Sequence, residues 1–548
     1  MHGKMQRDIG LVGLTFVAVS GIIGSGWLFA PLLAVQHAGP AALVAWLIGG
    51  IAMLLLALTF AEISAMLPVP GGVARVPMFS HGNLVCTMMG WSGWVGYTTQ
   101  APIEVEAMLR YLGPHATWLY SGGVPGNDLS VAGISASMAF LALFVVINAF
   151  GVKFFAYVNS TITWAKIGIP AVLIVTLLIS RFEVGNFTDH GGFAPMGWTG
   201  IMSAVSSGGV IFSYIGFRHA VDMAGEVRNP GFNVPTALIL SVVICFFIYG
   251  GLQLAFIGAM EPSAIAGGWG QVRLSSDFGP LGAVASALGL MWLVSMLNVG
   301  AVLGPMGGAL VATGSCARIS FALSENGLFP KIIATLSRTG VPLVALLMNL
   351  AVAVLAFVLL RFEDLVKLNE SAIMLSFVVG PIGVVALRHL LPTARRPVTL
   401  PGVRLIACAA FVITTLIIHW SGWATVWRLG ICLLVGGVLF VTYARTRIKG
   451  TADLKEASWL VPYLGGLGLI SALGSFGGAG VLTDGLDTAL LVVLCVGVFF
   501  YAVRCRLSPD KFRSYVADEK VLEHEIGEHA VARVEEALRH PTKRPPVH

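Results

Sequence analysis

GIIGSGW, residues Gly21 to Trp27, lies inside an apolar stretch long enough to cross a membrane as one helix. Each glycine in a helix interior costs about 1 kcal/mol relative to alanine, so this stretch weakens a helix near its middle. A helix that ends inside the membrane leaves backbone N–H and C=O groups without helical partners. We therefore predict a deliberate break in the first span, with a binding role for the exposed backbone groups.

The composition is that of an integral membrane protein. Of 548 residues, 56% are hydrophobic and only 11% are charged, against about 25% charged in ordinary soluble proteins. Lys4 and Arg7 lead directly into the first apolar run, without a cleavable signal sequence, so we expect the first helix to be retained. The seven cysteines have no CxxC spacing, and neither a disulfide frame, a metal site nor a cofactor is predicted. Nothing indicates a partner protein.

Windows of about 20 apolar residues predict about 14 transmembrane helices. Most Lys and Arg residues outside these spans fall on one side of the membrane if the N-terminus is cytoplasmic. The sequence thus predicts a multi-pass protein of the cytoplasmic membrane, with both termini in the cytoplasm. The net charge of +6 reflects this topology rather than nucleic-acid binding. The predicted spans are 9–35, 41–66, 84–112, 131–151, 155–180, 200–224, 235–260, 280–312, 341–360, 371–391, 403–421, 427–445, 458–476 and 486–504.

A second weak point occurs in span six, GGVIFSYIGFRHAVDMAGEVRNPGFNVP, from Gly208 to Pro235. Here Gly216 interrupts an apolar run that also carries several charged residues. Interruptions at corresponding positions of two halves indicate the binding site of a transporter. Spans one and six each begin a unit of five helices, and an odd number of spans places the second unit in the membrane in the opposite sense. An inverted repeat is therefore expected.

Several motifs in order resemble the amino acid–polyamine–organocation (APC) transporters, over roughly residues 8 to 400. The resemblance implies an all-α, LeuT-like five-plus-five inverted repeat with broken first and sixth helices. It also implies a transport core at 1–400, supplementary spans at 401–447, a basic linker with two further spans at 448–506, and a cytoplasmic amphipathic tail at 507–548. The motifs are GIIGSGW, AGP (38–40), AEISAMLPVPGG (61–72), GEVRNP (225–230), VP (234–235), ENGLFPK (325–331) and GVP (340–342).

An amino acid brings an α-carboxylate and an α-ammonium, and neither enters a membrane unpaired without a large cost. The N–H groups that begin the second half of a broken helix suit a carboxylate, and the carbonyls that end a first half suit an ammonium. The alternative reading of the glycines is close helix packing. By resemblance, the carboxylate contacts are Ile23, Gly24, Ser25 and Gly26, and the ammonium site is bounded by Phe212, Ser213, Tyr214 and Ile215, next to Gly216.

Arg218 departs from the pattern of many relatives, which have an acidic or small residue at this point. A guanidinium in mid-membrane usually faces a cavity and a partner. It could bind the second carboxylate of aspartate or glutamate in a bidentate manner. The alternative is an internal ion pair with Glu104, Glu106 or Asp222.

Two carboxylates in span three, Glu104 and Glu106, point about 200° apart on a helix, so only one can face a given cavity. Glu104 aligns with a substrate-side position of the resembling family. A buried carboxylate is costly when charged, which suits a proton carrier. Glu104 is therefore predicted to contribute to substrate binding and proton coupling, with a structural pairing to Arg218 as the alternative.

Lys166 is the other charge predicted to be buried, about twelve residues into span five. In proton-coupled relatives a lysine here stands where sodium-coupled relatives hold sodium, and it ties span five to the unwound part of span one. The alternative is a lysine that extends to the membrane surface. We predict a proton-coupling role for Lys166.

The tail contains HEIGEH, but His524 and His529 are five residues apart and cannot form the i, i+4 pair of a zinc protease. The sequence therefore predicts no enzyme but a proton-coupled amino acid transporter that works by alternating access. Open alternatives are an amino acid exchanger, a carrier of neutral or cationic amino acids or amines, and, remotely, a membrane sensor or intramembrane enzyme.

Overall fold

The computed structural model describes residues 7–123, 128–206, 208–274, 279–392, 394, 396–442, 453–483 and 485–517. In these ranges the repetitive structure is helical, and extended pairing is limited to two isolated bridges. The predicted amphipathic helix with its HEIGEH sequence lies outside the described residues. The α-helices are α1 Leu11–Ile22, α2 Gly26–Ala38, α3 Ala42–Met66, α4 Gly72–His81, α5 Asn83–Leu112, α6 Val131–Ala149, α7 Val152–Ser180, α8 Gly197–Ser206, α9 Val210–Tyr214, α10 Arg218–Asp222, α11 Pro230–Ala259, α12 Pro262–Ile265, α13 Gly279–Ala287, α14 Met291–Glu325, α15 Leu343–Leu359, α16 Phe362–Phe377, α17 Val379–Leu390, α18 Val403–Trp420, α19 Trp423–Thr442, α20 Leu454–Ala457, α21 Leu460–Leu473, α22 Leu486–Arg504 and α23 Pro509–Ala517.

Among the described residues, nine helices are long and apolar enough to cross a membrane, or ten if one bent helix pair is counted as a single span. Leu11–Ile22 and Leu343–Leu359 are shorter apolar helices. The protein is therefore a multi-pass membrane protein. The count of about 14 spans and the division of the chain at residues 400, 447 and 506 stay predictions.

The first span is broken at residues 23–25, between α1 and α2. Ile23 has φ −82° and ψ 73°, and the Gly24 N–H donates to the Ile22 carbonyl at 3.0 Å. This geometry is an inverse γ-turn, which stops the helical hydrogen-bond ladder. Ser25 precedes α2 without capping it through its side chain. The GIIGSGW stretch thus forms the predicted break.

Span six is interrupted at the predicted Gly216 and also at a second place that the sequence did not indicate. The second place lies between α8 and α9, where the segments Gly197–Ser206 and Val210–Asp222 bend by 41°. Gly209 has φ +80°, a left-handed conformation that favours glycine. Gly216 lies in a 3₁₀ turn, Ile215–Phe217, which separates α9 from α10. The bend near Gly209 and the turn at Gly216 are separate features, and the sequence indicated only the interruption at Gly216.

Span eight is also displaced from its predicted bounds. The sequence placed it at 280–312, whereas α14 runs from Met291 to Glu325 and the preceding apolar residues form the separate helix α13. The two helices are separated at residues 288–290, where Gly289 has φ +72°. A glycine in the left-handed conformation ends α13 and allows the chain to change direction.

Hydrogen bonds and an ion pair connect distant segments of the chain at the end of the protein where α1 begins. The Ile9 N–H donates to the Glu226 carbonyl at 3.0 Å, and the Arg228 N–H donates to the Ile9 carbonyl at 2.9 Å. The Arg318 guanidinium of α14 donates two hydrogen bonds of 2.9 Å to the Glu226 carboxylate, and both side chains are buried. The bidentate pair fixes α14 against the loop that follows α10.

A second buried cluster joins the last described helix, α23, to the α4–α5 corner. Asp453, whose side chain is buried, accepts hydrogen bonds from the Asn83 N–H at 3.1 Å, from the Lys511 ammonium at 3.0 Å and from the Tyr515 hydroxyl. Lys511 also donates to Glu456 at 2.9 Å. The start of the tail is therefore held on the body of the protein by two carboxylates, of which Asp453 makes the larger number of contacts.

Replacing Asp453 with asparagine is expected to loosen α23. Hydrogen bonds to a charged group are worth about 1.5–3 kcal/mol, and the variant loses the charge that several donors share. Hydrogen–deuterium exchange over residues 507–517 should become about tenfold faster or more, the factor that corresponds to about 1.4 kcal/mol. Asp510→Asn, at an exposed carboxylate, is the control. Equal protection in both variants would contradict the role assigned to Asp453.

Candidate functional site

The two interrupted spans cross with their backbones in contact. A Cβ atom placed on Gly216 would overlap the Gly21 carbonyl group and the Ile22 nitrogen, and one placed on Gly21 would lie 2.9 Å from the Gly216 carbonyl oxygen. Only glycine allows this approach at both positions. The glycines at the crossing therefore serve close packing, and the exposed backbone lies immediately beside it.

A small cavity opens at the crossing, between α1, α2, α5, α9 and α16. Its volume is about 10 Å³, which is roughly room for one water molecule and too small for an amino acid. The site is closed in this conformation, so binding requires the helices to move apart. The lining residues are Gly21, Ile22, Gly24, Gly26, Gln100, Glu104, Phe212, Ser213, Ile215, Gly216 and Asn369.

Glu104 lies at the break in the first span. Its carboxylate faces the hydroxyl and the backbone N–H of Ser25, the residue that precedes α2. A Cβ on Gly24 would overlap this carboxylate, and one on Gly308 of α14 would lie 3.2 Å from its carbon. The Glu104 Oε2 atom is buried without a hydrogen-bond partner. An acidic side chain thus already lies beside the N-terminus of α2, where a substrate carboxylate is expected.

Glu106 points away from the site, as the helical period requires. It forms an i, i+4 ion pair with Arg110 at 3.0 Å, and the Arg110 side chain is half exposed. The structure therefore separates the two glutamates, and only Glu104 lines the cavity.

Lys166 of α7 contacts α1 close to its end. Its ammonium donates to the Ser20 carbonyl at 2.6 Å and to the Ser20 hydroxyl at 3.1 Å. The side chain is buried, so it does not extend to a membrane surface. Lys166 and Glu104 interact electrostatically across the break, and a Cβ on Gly307 would lie 2.9 Å from the Lys166 nitrogen. An acidic and a basic side chain therefore both lie next to the broken segment.

Arg218 is fully buried but does not line the cavity. Its Nη2 donates to the Gln100 side-chain oxygen, and its Cζ lies 3.8 Å from the centre of the Tyr97 ring. Nε and Nη1 have no hydrogen-bond partner. In the described part of the chain no carboxylate lies within ion-pair distance of Arg218, so the pairs expected with Glu104 or Glu106 are not present. Asp222 is an electrostatic neighbour and accepts a hydrogen bond from Tyr97.

Tyr249 of α11 joins both broken spans. Its hydroxyl lies 2.8 Å from the Ile22 carbonyl oxygen and 3.1 Å from the Ser213 carbonyl oxygen. These carbonyls belong to the ends of α1 and α9, where the helical ladder is interrupted. A single hydroxyl proton therefore lies between two acceptors that the breaks expose.

The structure brings most of the predicted binding residues to one cavity, although their roles remain predictions. Ile23, Ser25, Tyr214, Arg218 and Lys166 do not line it. Of these, Ser25 contacts the lining residue Glu104, and Lys166 contacts Ser20, which precedes the lining residue Gly21. Tyr214 packs against Trp46 and Tyr249.

Sequence reasoning missed three polar residues of the site, Gln100, Asn369 and Tyr249. Gln100 lies one helical turn before Glu104, a spacing that could have indicated it. Asn369 donates to the Gly96 carbonyl at 2.5 Å and to the Thr99 hydroxyl at 3.3 Å. Neither Asn369 nor Tyr249 belongs to a motif that would distinguish it from other polar residues in apolar helices.

Comparisons with known proteins show to which family the sequence is related. A family model described as amino acid permease matches residues 9–440. The chain is 33% identical to the glutamate/serine transporter AimA of Bacillus subtilis, covering 95% of this chain and 97% of the relative. It is 34% identical to the aspartate-proton symporter of the same organism, covering 91% and 97%.

The solved structure of Mhp1, a nucleobase-cation-symport-1 family transporter, is similar over 98% of both chains, with a TM-score of 0.51 and 13% identity. This likeness concerns the fold alone. It confirms the predicted all-α, LeuT-like inverted-repeat architecture, while the number of spans stays open.

Proposed function

Because the chain belongs to the amino acid permease family, we propose that it is a secondary transporter that couples the uptake of aspartate or glutamate to protons. One relative is named a glutamate/serine transporter and another an aspartate-proton symporter. The family consists of transporters, so the chain is not an enzyme. The proposal rests most directly on one observation, the buried Glu104 carboxylate at the N-terminus of α2.

Glu104 and a substrate α-carboxylate would compete for the same N–H groups if both were charged. Protonation of Glu104 removes its charge and frees the N-terminus of α2 for the substrate. The substrate and the proton would then bind together, which is the requirement for symport. Lys166 holds the end of α1 through Ser20 and senses the charge on Glu104. A change in that charge would alter the tie between α7 and α1 and favour opening.

The substrate ammonium would donate hydrogen bonds to the carbonyl oxygens of the broken helices. Tyr249 currently occupies the carbonyls of Ile22 and Ser213, and its one proton can serve only one of them at a time. Carbonyl oxygens accept more than one hydrogen bond, so an ammonium can be added without removing Tyr249. Backbone groups then recognise the α-ammonium, which all amino acid substrates share.

Specificity for an acidic side chain is assigned to Arg218. Two of its nitrogen atoms are buried without partners, and its bond to Gln100 connects it to the cavity lining. Unpartnered buried donors are costly, and a side-chain carboxylate entering beside Gln100 would supply the missing acceptors. This arrangement favours aspartate and glutamate over neutral or cationic amino acids.

Replacing Arg218 with glutamine is expected to lower the affinity for aspartate and glutamate by roughly 10- to 100-fold, because hydrogen bonds to a charged group contribute about 1.5–3 kcal/mol. Serine uptake should change much less, so the ratio of the two affinities corrects for any loss of folded protein. Arg218→Lys keeps the charge and should retain part of the preference. An equal fall for aspartate and serine would show that Arg218 is structural.

The proposed function is tested with purified protein in proteoliposomes. Uptake of labelled aspartate, glutamate, serine, arginine and leucine is measured with and without an inward proton gradient. We expect the gradient to drive accumulation of the acidic pair. Accumulation of leucine or arginine alone would overturn the substrate class, and exchange that ignores the gradient would indicate an exchanger.

We place the protein in the cytoplasmic membrane with both termini inside, on the basis of the asymmetric Lys and Arg distribution. A cysteine introduced near the N-terminus of a variant without the native cysteines should react with a membrane-permeant reagent only. Labelling of intact cells by an impermeant reagent would contradict this orientation.

A further inference from the structure

A crevice distant from the transport site lies at the ends of α17, α18 and α22. Its volume is about 250 Å³, near the lower end of small-molecule sites, which span roughly 300–1,000 Å³. Four basic residues line it, namely His389, Arg404, Arg504 and Arg506. No acidic residue is part of the lining, so the crevice carries a concentrated positive charge.

In the part of the chain that the structure describes, none of the three arginines forms an ion pair. Arg506 donates to the Val503 carbonyl at 3.1 Å. Arg388 and Arg396 at the same end of the protein offer a contrast, since both pair with the Glu62 carboxylate. Within the described ranges, Arg388 and Arg396 thus have an anionic partner, whereas the arginines of the crevice have none.

The remaining wall of the crevice is apolar, formed by Val385, Phe499, Phe500 and Val503. It continues into the outer surface of the bundle, where Phe500 is 49% exposed, Val493 72% and Leu405 77%. Such exposed side chains on membrane helices face the lipid chains. A ligand that fits both the basic part and the apolar wall of the crevice has an anionic head and an apolar body.

The crevice lies at the end of the protein where the chain begins. The Leu507 N–H, just after α22, donates to the Ser80 carbonyl of α4 at 2.9 Å. α4 in turn packs against α10, because a Cβ on Gly72 would lie 3.1 Å from the Val221 carbonyl oxygen. The loop after α10 pairs with Ile9. This end is the proposed cytoplasmic side, where anionic lipids attract basic residues.

We propose that this crevice binds an anionic phospholipid of the inner leaflet, with the phosphate held by Arg404, Arg504 and Arg506 and an acyl chain along Phe499 and Phe500. Arginine matches phosphate in a bidentate manner, and basic pockets between membrane helices suit such headgroups. A soluble phosphate would use the arginines but would have no use for the apolar wall. The lipid would join α18 and α22 to α17.

The test measures binding of dioleoylphosphatidylglycerol and dioleoylphosphatidylcholine to the purified full-length protein by native mass spectrometry. The variant Arg404→Gln with Arg504→Gln is compared with a matched control, Lys331→Gln with Arg338→Gln. The control changes two exposed basic residues at the same end, in the loop between α14 and α15. Single variants and melting temperatures are measured alongside, so a folding defect in the double variant is recognised.

We expect phosphatidylglycerol to bind wild type and control alike and to bind the crevice variant roughly 30-fold more weakly, since each arginine near the surface contributes about 1 kcal/mol. Equal binding to both double variants would overturn the site. Equal binding of the two lipids to wild type would overturn the charge argument. If millimolar inorganic phosphate alone displaces the lipid, the crevice is a site for a soluble anion, and the proposal of a lipid ligand is wrong.

Discussion

Glu104→Gln is expected to abolish proton-driven accumulation of aspartate while preserving its exchange across the membrane. Glutamine keeps the size of the buried side chain, which lies against Gly24 and Gly308. It cannot gain or lose a proton, so it resembles the protonated state permanently. Aspartate that moves with one proton is driven by the pH difference alone, and about 2 pH units support at most roughly 100-fold accumulation. The variant should reach equal concentrations on both sides.

The measurement compares gradient-driven uptake with counterflow in the same proteoliposomes. Glu106→Gln is the matched control, because it lies two residues away on the same helix and pairs with Arg110 away from the cavity. It should accumulate aspartate as wild type does. Full accumulation by Glu104→Gln would place the coupling proton on another group. If the variant loses both counterflow and accumulation, Glu104 serves substrate binding rather than proton coupling.

Gly216→Ala is expected to cause the largest loss of stability and transport among single methyl additions. The added carbon would overlap the backbone of Gly21 and Ile22, which cannot rotate away as a side chain could. Overpacking of a tight interior costs about 1–3 kcal/mol and sometimes more. The melting temperature and the initial rate of aspartate uptake should both fall strongly, because the two broken spans can no longer cross in contact.

Gly250→Ala in α11 is the matched control, since a Cβ added there meets no atom within 4 Å. Alanine in an open helical position should leave stability unchanged or raise it slightly. A Gly216→Ala variant with the stability and uptake of wild type would mean that the spans do not touch at these glycines. Equal losses in both variants would point to a general intolerance of substitution in the helices.

The fold was predictable because its signals are local. Apolar length identifies a membrane helix, and the glycines of GIIGSGW identify a break that the structure forms at residues 23–25. The position of the bend in span six was not predictable in the same way. Gly209 and Gly216 look alike in a sequence, but one supplies a positive φ and the other close packing against a distant helix. Only the tertiary structure separates these two uses of glycine.

The site was predictable where helical geometry decides it and not where packing does. The 3.6-residue period separates Glu104 from Glu106, and the structure places them accordingly. Tyr249 and Asn369 lie on apolar helices whose rotation is set by neighbouring spans, so their direction cannot be deduced from spacing. Arg218 shows the same limit, because its contacts with Tyr97 and Gln100 depend on how α10 packs against α5.

The central claim, proton-coupled transport of acidic amino acids, is tested most directly by proton flux. Proteoliposomes containing the purified protein and a lumenal pH dye receive aspartate, glutamate or leucine outside at equal pH on both sides. Proton-coupled transport of acidic amino acids predicts that aspartate and glutamate acidify the lumen. Leucine should give no signal, and Glu104→Gln should abolish the response. Entry of labelled aspartate without lumenal acidification would contradict proton coupling. Equal acidification by leucine would contradict the preference for acidic amino acids.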